Sequence, residues 1–201
     1  MTERTTLYLA SASPRRRSLV GLLGVKNIVI RPTHVDESHD GMSAPETLVQ
    51  ELSVAKALAL LPLLEEGDPH GIILGADTIV ELHGEILGKP TNEDDAVAML
   101  VKLSGNTHTV YTGFALVDTL TQEMRTYYQT TNVTFRELAS EEIERYVASG
   151  APMDKAGAYG IQEDFGAVFV TRIEGDYYTV VGLPLCSLYV ELKKFAPELF
   201  L

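Results

Sequence analysis

Residues 7–17 read Leu-Tyr-Leu-Ala-Ser-Ala-Ser-Pro-Arg-Arg-Arg, and their reading decides the fold. The first four form an apolar run of the length of a buried strand. Ser11 and Ser13 follow, and then Pro14. Proline suits the first turn of a helix, where its missing N–H costs nothing. Arg15, Arg16 and Arg17 come next, with Leu19, Leu22 and Leu23 behind them. A strand therefore ends, the chain turns, and a helix begins with two hydroxyls and three guanidiniums at its start. Such a terminus exposes unpaired N–H groups and a partial positive charge. It is an anion site, and arginine forks match phosphate oxygens. The plainer reading is a solvated basic turn. Against it, cations at this end of a helix oppose the macrodipole.

Residues 71–80, Gly-Ile-Ile-Leu-Gly-Ala-Asp-Thr-Ile-Val, are the strongest buried-strand signal in the chain, and Asp77 interrupts them. A carboxylate inside an apolar strand is costly unless it is paired or metal-bound. Asp77 is therefore either a structural ion-pair partner or a functional acid at a strand end. A hairpin over 82–87 then delivers Gly88, Lys89 and Pro90. Residues 154–162, Asp-Lys-Ala-Gly-Ala-Tyr-Gly-Ile-Gln, form a third informative stretch. Small residues there let backbone approach a ligand closely, and Gln162 offers one acceptor and two donors.

The remaining elements fill in around these. A strand is predicted over 25–30, closed by Pro32. The polar segment 34–41 carries two histidines and three acids, in a spacing that matches no closed structural metal site. A hard cation held by one carboxylate and substrate phosphates fits it better. A helix is predicted over 45–61, with Leu48, Leu52, Ala55 and Ala59 at helical spacing. Its Lys56 either snorkels or holds a buried anion. Another helix opens at Thr91, with Asp94 three residues on, and ends near Leu103. Strands over 107–117 and 125–135 follow, then a helix capped by Ser140 and ending at Gly150. Strands over 167–173 and 177–181 and a last helix to residue 195, with Pro184 near its start, complete the chain. This order implies an α/β fold with a mixed, twisted sheet flanked by helices. It implies one domain over 1–201, two-lobed with a central cleft. The usual dinucleotide and P-loop signatures are absent.

The 201 residues are 45% apolar and 22% charged, an ordinary soluble composition. A net charge of −12 repels polyanions, which argues against a nucleic acid polymer or an acidic membrane as partner. It leaves room for a small anion where cations converge. A single cysteine, Cys186, excludes an internal disulfide and reads as a packed thiol. No apolar run is long enough to span a bilayer, and Glu3 and Arg4 break any signal-peptide pattern. A cytoplasmic protein is expected.

Three stretches together carry a resemblance: Ser-Ala-Ser-Pro-Arg-Arg from Ser11, Gly-Ala-Asp-Thr from Gly75 with the downstream Gly-Lys-Pro from Gly88, and the 154–162 segment. With Ser-Gly-Asn-Thr-His from Ser104 and Val-Val-Gly-Leu-Pro from Val180, in the same order, they resemble the Maf family over nearly the whole chain. The resemblance implies a fold similar to that of the inosine-triphosphatase group. It implies nucleoside triphosphate pyrophosphatase activity, cutting between the α and β phosphates with a divalent cation such as Mg²⁺ or Mn²⁺. It also implies a homodimer and a link to septum formation. Asp77 matches the family's catalytic acid, and Ser11, Arg15, Arg16, Lys56 and Lys89 match its phosphate-handling residues. Glu37 matches a carboxylate near the metal, with Asp77 as second ligand. Arg15, Thr78 and Gln162 match the branch acting on dTTP and UTP, which leaves modified pyrimidine nucleotides within reach. The reading from another class is a nucleotide-binding regulator of cell division with incidental turnover.

Overall fold

Thr6–Leu9 is the first strand, β1, and all four of its residues are buried. The computed structural model of the chain describes residues 5–37, 43–162 and 165–200. β1 lies between two parallel neighbours, β2 (Ile28–Ile30) and β3 (Gly71–Leu82). A strand in that position is continuously apolar rather than alternating. The segments linking these strands carry the helices α1 (Pro14–Val20) and α2 (Pro45–Leu60). β3 then folds back on β4 (Glu85–Leu87) through a turn at His83 and Gly84.

Helix α3 (Glu93–Leu103), strands β5 (Thr107–Asp118) and β6 (Met124–Phe135) and helix α4 (Ser140–Ala148) come next. They are followed by β7 (Val170–Gly175), α5 (Tyr177–Val181) and α6 (Leu185–Phe195). The seven strands run in the order β2-β1-β3-β5-β6-β7, with β4 also on β3. β5 and β6 are antiparallel: Thr107 meets Thr134, Thr109 meets Asn132, and Phe114 stacks on Tyr127. β6 and β7 are antiparallel as well, so the sheet is mixed and the fold is α/β, as the element order implied.

The chain forms two compact units. The first comprises residues up to Asp77, Thr112–Gln129 and the segment from Gly182 onward; the second comprises Thr78–Tyr111 and Thr130–Val181. In the first unit Tyr8, Ile73, Leu60 and Val117 form part of one buried cluster. Helix α2 lies hard against the sheet there because two strand positions lack a side chain. A Cβ at Gly75 would sit 2.1 Å from the Ser53 carbonyl oxygen, and one at Gly113 2.7 Å from that of Val49. In the second unit Leu82, Leu100, Phe135, Tyr146, Tyr159 and Phe169 belong to a separate core.

Several boundaries differ from the sequence expectation, each for a local reason. Only Ile28–Ile30 of the segment 25–30 joins the ladder. The buried face of α2 includes Leu48, Leu52, Ser53, Lys56 and Leu60, while Ala55 is exposed and Ala59 only half-buried. Asn92 rather than Thr91 caps α3, its side-chain oxygen accepting from the Asp95 N–H at 2.9 Å. Ser140 is the first residue of α4 and not its cap; Glu142 reaches back to the Ala139 N–H at 3.1 Å. Residues 165–169 form a helical turn, so the following strand starts only at Val170. The predicted strand at 177–181 is the helix α5. Asp176 decides this, its carboxylate accepting from the Thr179 N–H at 2.7 Å and the Thr179 hydroxyl at 2.9 Å, which outweighs the β-branched composition. Pro184 stands next to the first residue of α6, as its N-cap, near the start as expected. Cys186 is exposed, not packed, because α6 buries the stripe through Leu188 and Leu192 and Cys186 lies off it. Among the described residues no helix is long and apolar enough to cross a membrane.

Candidate active site

The chain leaves β1 and turns through Ser11 and Ser13. Ser11 is buried, and its hydroxyl accepts from the Ser13 N–H at 3.2 Å. Ser13 caps α1, its hydroxyl accepting from the Arg16 N–H at 3.4 Å. That arrangement places Arg15 and Arg16 on the first turn, both half-buried. The Arg16 Nε donates to the Gly182 carbonyl at 2.8 Å, which fixes the guanidinium plane. Burial lowers the Arg16 pKa and neighbouring Arg15 lowers it further, while Asp77 and Glu37 raise it. Arg16 thus shares one electrostatic neighbourhood with all three. Arg17 is exposed and lies in the last turn of α1, where a cation complements the dipole.

The centre of the first unit's polar cluster is Lys56. Its ammonium is buried and makes two ion pairs, to Asp77 at 2.5 Å and to Glu37 at 2.7 Å. The alternative left open for Lys56 is resolved: it does not snorkel but holds a buried anion of the chain itself. Gly75 makes this geometry available. It stands two residues before Asp77, hence on the same strand face, and its missing Cβ lets α2 settle where Lys56 meets Asp77. Removing one member of a buried ion pair typically costs about 3–5 kcal/mol, because the other charge is left without compensation. Asp77 and Glu37 converge from different segments as hard oxygen donors. Among the described residues no group of three or more His, Cys, Asp or Glu side chains could hold a metal ion. His34 is exposed, and Ser38, His39, Asp40 and Gly41 lie outside the described residues.

Thr78, Lys89 and Gln162 belong to the second unit. Thr78 follows Asp77 along β3 and is half-buried, its side chain on the opposite strand face. Lys89 is exposed and comes directly after Gly88, whose carbonyl accepts from the Gly157 N–H at 3.0 Å. Lys89 is thereby tied to the 154–162 loop that carries Gln162. Gln162 is half-buried, and its side-chain carbonyl oxygen is buried with no hydrogen-bond partner among the described residues. A buried acceptor in that state costs free energy until a donor arrives. The sequence reading missed the Gly182 carbonyl as the group that orients Arg16. A backbone oxygen carries no residue-type signal, and only the Gly-Leu-Pro that follows α5 marks the place.

The match to known proteins runs through these same elements. The family described as Maf-like protein matches residues 6–195. A dTTP/UTP pyrophosphatase of Bacillus cereus strain B4264 is 49% identical over 190 residues, covering 94% of this chain and 95% of its own. A dTTP/UTP pyrophosphatase of Bacillus thuringiensis subsp. konkukian strain 97-27 is 49% identical over 189 residues, with 94% and 95% covered. A solved nucleoside-triphosphatase / dITP/XTP pyrophosphatase from Mycobacterium abscessus overlaps 65% of this chain and 73% of its own at 13% identity, with a TM-score of 0.39. That last likeness is too slight to carry an argument. The family match begins in β1, where the arginine turn is launched, and ends at the last residue of α6, so it takes in every candidate residue named in the two units, and the chain belongs to the Maf-like protein family.

Proposed function

We propose that this chain is a nucleoside triphosphate pyrophosphatase acting on dTTP and UTP, and on modified pyrimidine nucleotides of the same shape. It releases the monophosphate and pyrophosphate. One observation carries this reading: a buried carboxylate, Asp77, is held by Lys56 beside Arg16, in a chain about half identical to proteins of that name. Arg15, Arg16 and Lys89 neutralise phosphate oxygens, and the Ser11 hydroxyl hydrogen-bonds them. Asp77 accepts the proton of the attacking water, and Lys56 fixes where that carboxylate stands. Glu37 and Asp77 would hold a divalent cation, Mg²⁺ or Mn²⁺, because two convergent carboxylates suit a hard ion that also takes phosphate oxygens. When bound, the ion neutralises charge on the leaving pyrophosphate.

Base choice falls to Gln162, with Arg15 and Thr78 supporting it. Thymine and uracil present a carbonyl beside a ring N–H. A carboxamide can donate to the first and accept from the second, and the Gln162 carbonyl oxygen is the acceptor without a partner among the described residues. Cytosine reverses both groups.

The deciding experiment is a panel of nucleotides assayed for pyrophosphate release, with and without chelator. dTTP and UTP should lead CTP, with ATP and GTP poor. Activity should vanish in excess chelator and return with Mg²⁺ or Mn²⁺. Release of orthophosphate, or a preference for purines, would sink the assignment. A pure nucleotide sensor would need the cations but not the buried acid, so an Asp77→Asn variant that binds without turning over speaks for the enzyme. The family resemblance further suggests a homodimer, which light scattering would test.

A further inference from the structure

We propose that His108 is a positioning residue for base selection: through the Tyr159 hydroxyl it holds the 154–162 loop so that Gln162 meets the pyrimidine edge. This rests on the reading of Gln162 as the group that faces the base.

His108 on β5 and Tyr159 are both buried, and the imidazole Nε2 stands 2.8 Å from the Tyr159 hydroxyl. Their rings and that of Phe135 meet edge to face, with centroids 4.7 to 5.3 Å apart. Burial keeps the imidazole neutral, with its pKa lowered to about 4. A neutral imidazole and a phenol hold two polar hydrogens between them, and their single bond uses one. The other is left on Nδ1 or on the Tyr159 oxygen, and Nδ1 has no partner among the described residues. An unmatched buried hydrogen costs free energy, and apolar replacements of the same shape are often neutral or stabilising. Core stability therefore does not account for this pair. Its position in the chain does.

The loop is pinned at three places before Gln162. The Gly157 N–H donates to the Gly88 carbonyl at 3.0 Å, and a Cβ at Gly157 would come within 2.9 Å of the Val80 side chain. The Gly160 N–H donates to the Tyr146 hydroxyl at 3.2 Å. Tyr159 lies between these anchors, and His108 is the hydrogen-bond partner of its side chain. Gln162 follows two residues after the last anchor. Its carboxamide reads a base edge only from one position and one orientation, so the backbone at 159 and 160 sets its discrimination.

The test uses the ratio of kcat/KM for UTP over CTP, together with the melting temperature. Tyr159→Phe removes one oxygen and keeps the ring. It should lower the ratio at least about fivefold, the low end of what one mismatched buried polar pair produces; the melting temperature falls as well, because the buried His108 ring loses its partner, so the ratio measured on folded protein decides. His108→Gln keeps an N–H near the Nε2 position and should retain the ratio, while His108→Leu should lose it. A purely structural pair would slow UTP and CTP together and leave the ratio alone. A wild-type ratio in Tyr159→Phe, or equal ratios in His108→Gln and His108→Leu, overturns the proposal. If one variant fails to fold, the other comparison decides by itself. A wild-type enzyme with no preference for UTP overturns the reading of Gln162 and the positioning with it; a preference that survives in the variants overturns the positioning alone.

Discussion

Among the described residues, each of the two units buries a polar side-chain pair, and the two pairs differ in charge. In the first, Lys56 and Asp77 form an ion pair, with Glu37 as a second carboxylate on the same ammonium. In the second, His108 and Tyr159 share a hydrogen bond between neutral groups, one hydrogen of which goes unmatched among the described residues. The difference follows from the cost of burial. An isolated buried charge is costly, so the charged pair comes with a second carboxylate on its ammonium and shares an electrostatic neighbourhood with Arg16. A neutral pair tolerates one missing bond and is suited to holding backbone in place. One pair handles charge in a reaction; the other handles geometry.

The largest expected effect breaks the charged pair. Asp77→Asn keeps the shape and removes the charge, and turnover should fall about 100-fold or more, the scale of general base catalysis. Nucleotide binding by calorimetry should survive in part. Near-wild-type turnover would mean that the charged pair does no chemistry and would dissolve the contrast.

Acid should break the neutral pair. His108 has a folded pKa of about 4 against an ordinary 6.5. Between those values the unfolded chain takes up a proton that the folded chain excludes, so stability falls as pH drops through this window, by up to about 3 kcal/mol. Urea unfolding at pH 7 and pH 4.5 should show a larger loss in the wild type than in His108→Gln. Equal losses would show that the imidazole is not held neutral inside.

Two further substitutions sharpen the comparison. Gln162→Glu keeps an acceptor and loses the donor. It should reduce a wild-type UTP:CTP preference of roughly 5- to 150-fold towards one, as expected for a single buried polar mismatch; an unchanged ratio removes Gln162 from base reading. Arg16→Ala should lower kcat/KM about tenfold or more, the worth of one charge-assisted contact. Arg17→Ala, on the exposed side of the same helix, should do almost nothing in the same assay. Equal effects at the two positions would mean that the arginine register is misplaced.

Much of the fold was legible where the signal is local. The strand–turn–helix at residues 6–20, the long helix from Pro45 and the hairpin after β3 all stand near where hydrophobic pattern and turn residues put them. Two of the departures lie where a side chain caps a helix. Tyr177–Val181 has strand-like composition, yet the Asp176 carboxylate turns it into a helix. Asn92 took the capping role from Thr91 for the same kind of reason. At the site, Asp77 was legible as a carboxylate in an apolar strand, but Lys56 was ambiguous, because a lone lysine on an apolar helix face looks the same whether it snorkels or pairs.

By itself, then, the sequence determined that a basic turn follows a buried strand, that a carboxylate sits in the next one, and that Gln162 ends a glycine-punctuated loop. Those are properties of neighbouring residues: side-chain period, the fixed φ of proline, the cost of an acid among hydrophobes. Only the tertiary structure decided which cation answers Asp77, which carbonyl orients Arg16, and that Cys186 faces outward. Each depends on how closely one element lies against another. The approach of α2 to β3 is set by the absence of a single Cβ at Gly75, and Lys56 meets Asp77 across that contact from 21 residues away along the chain.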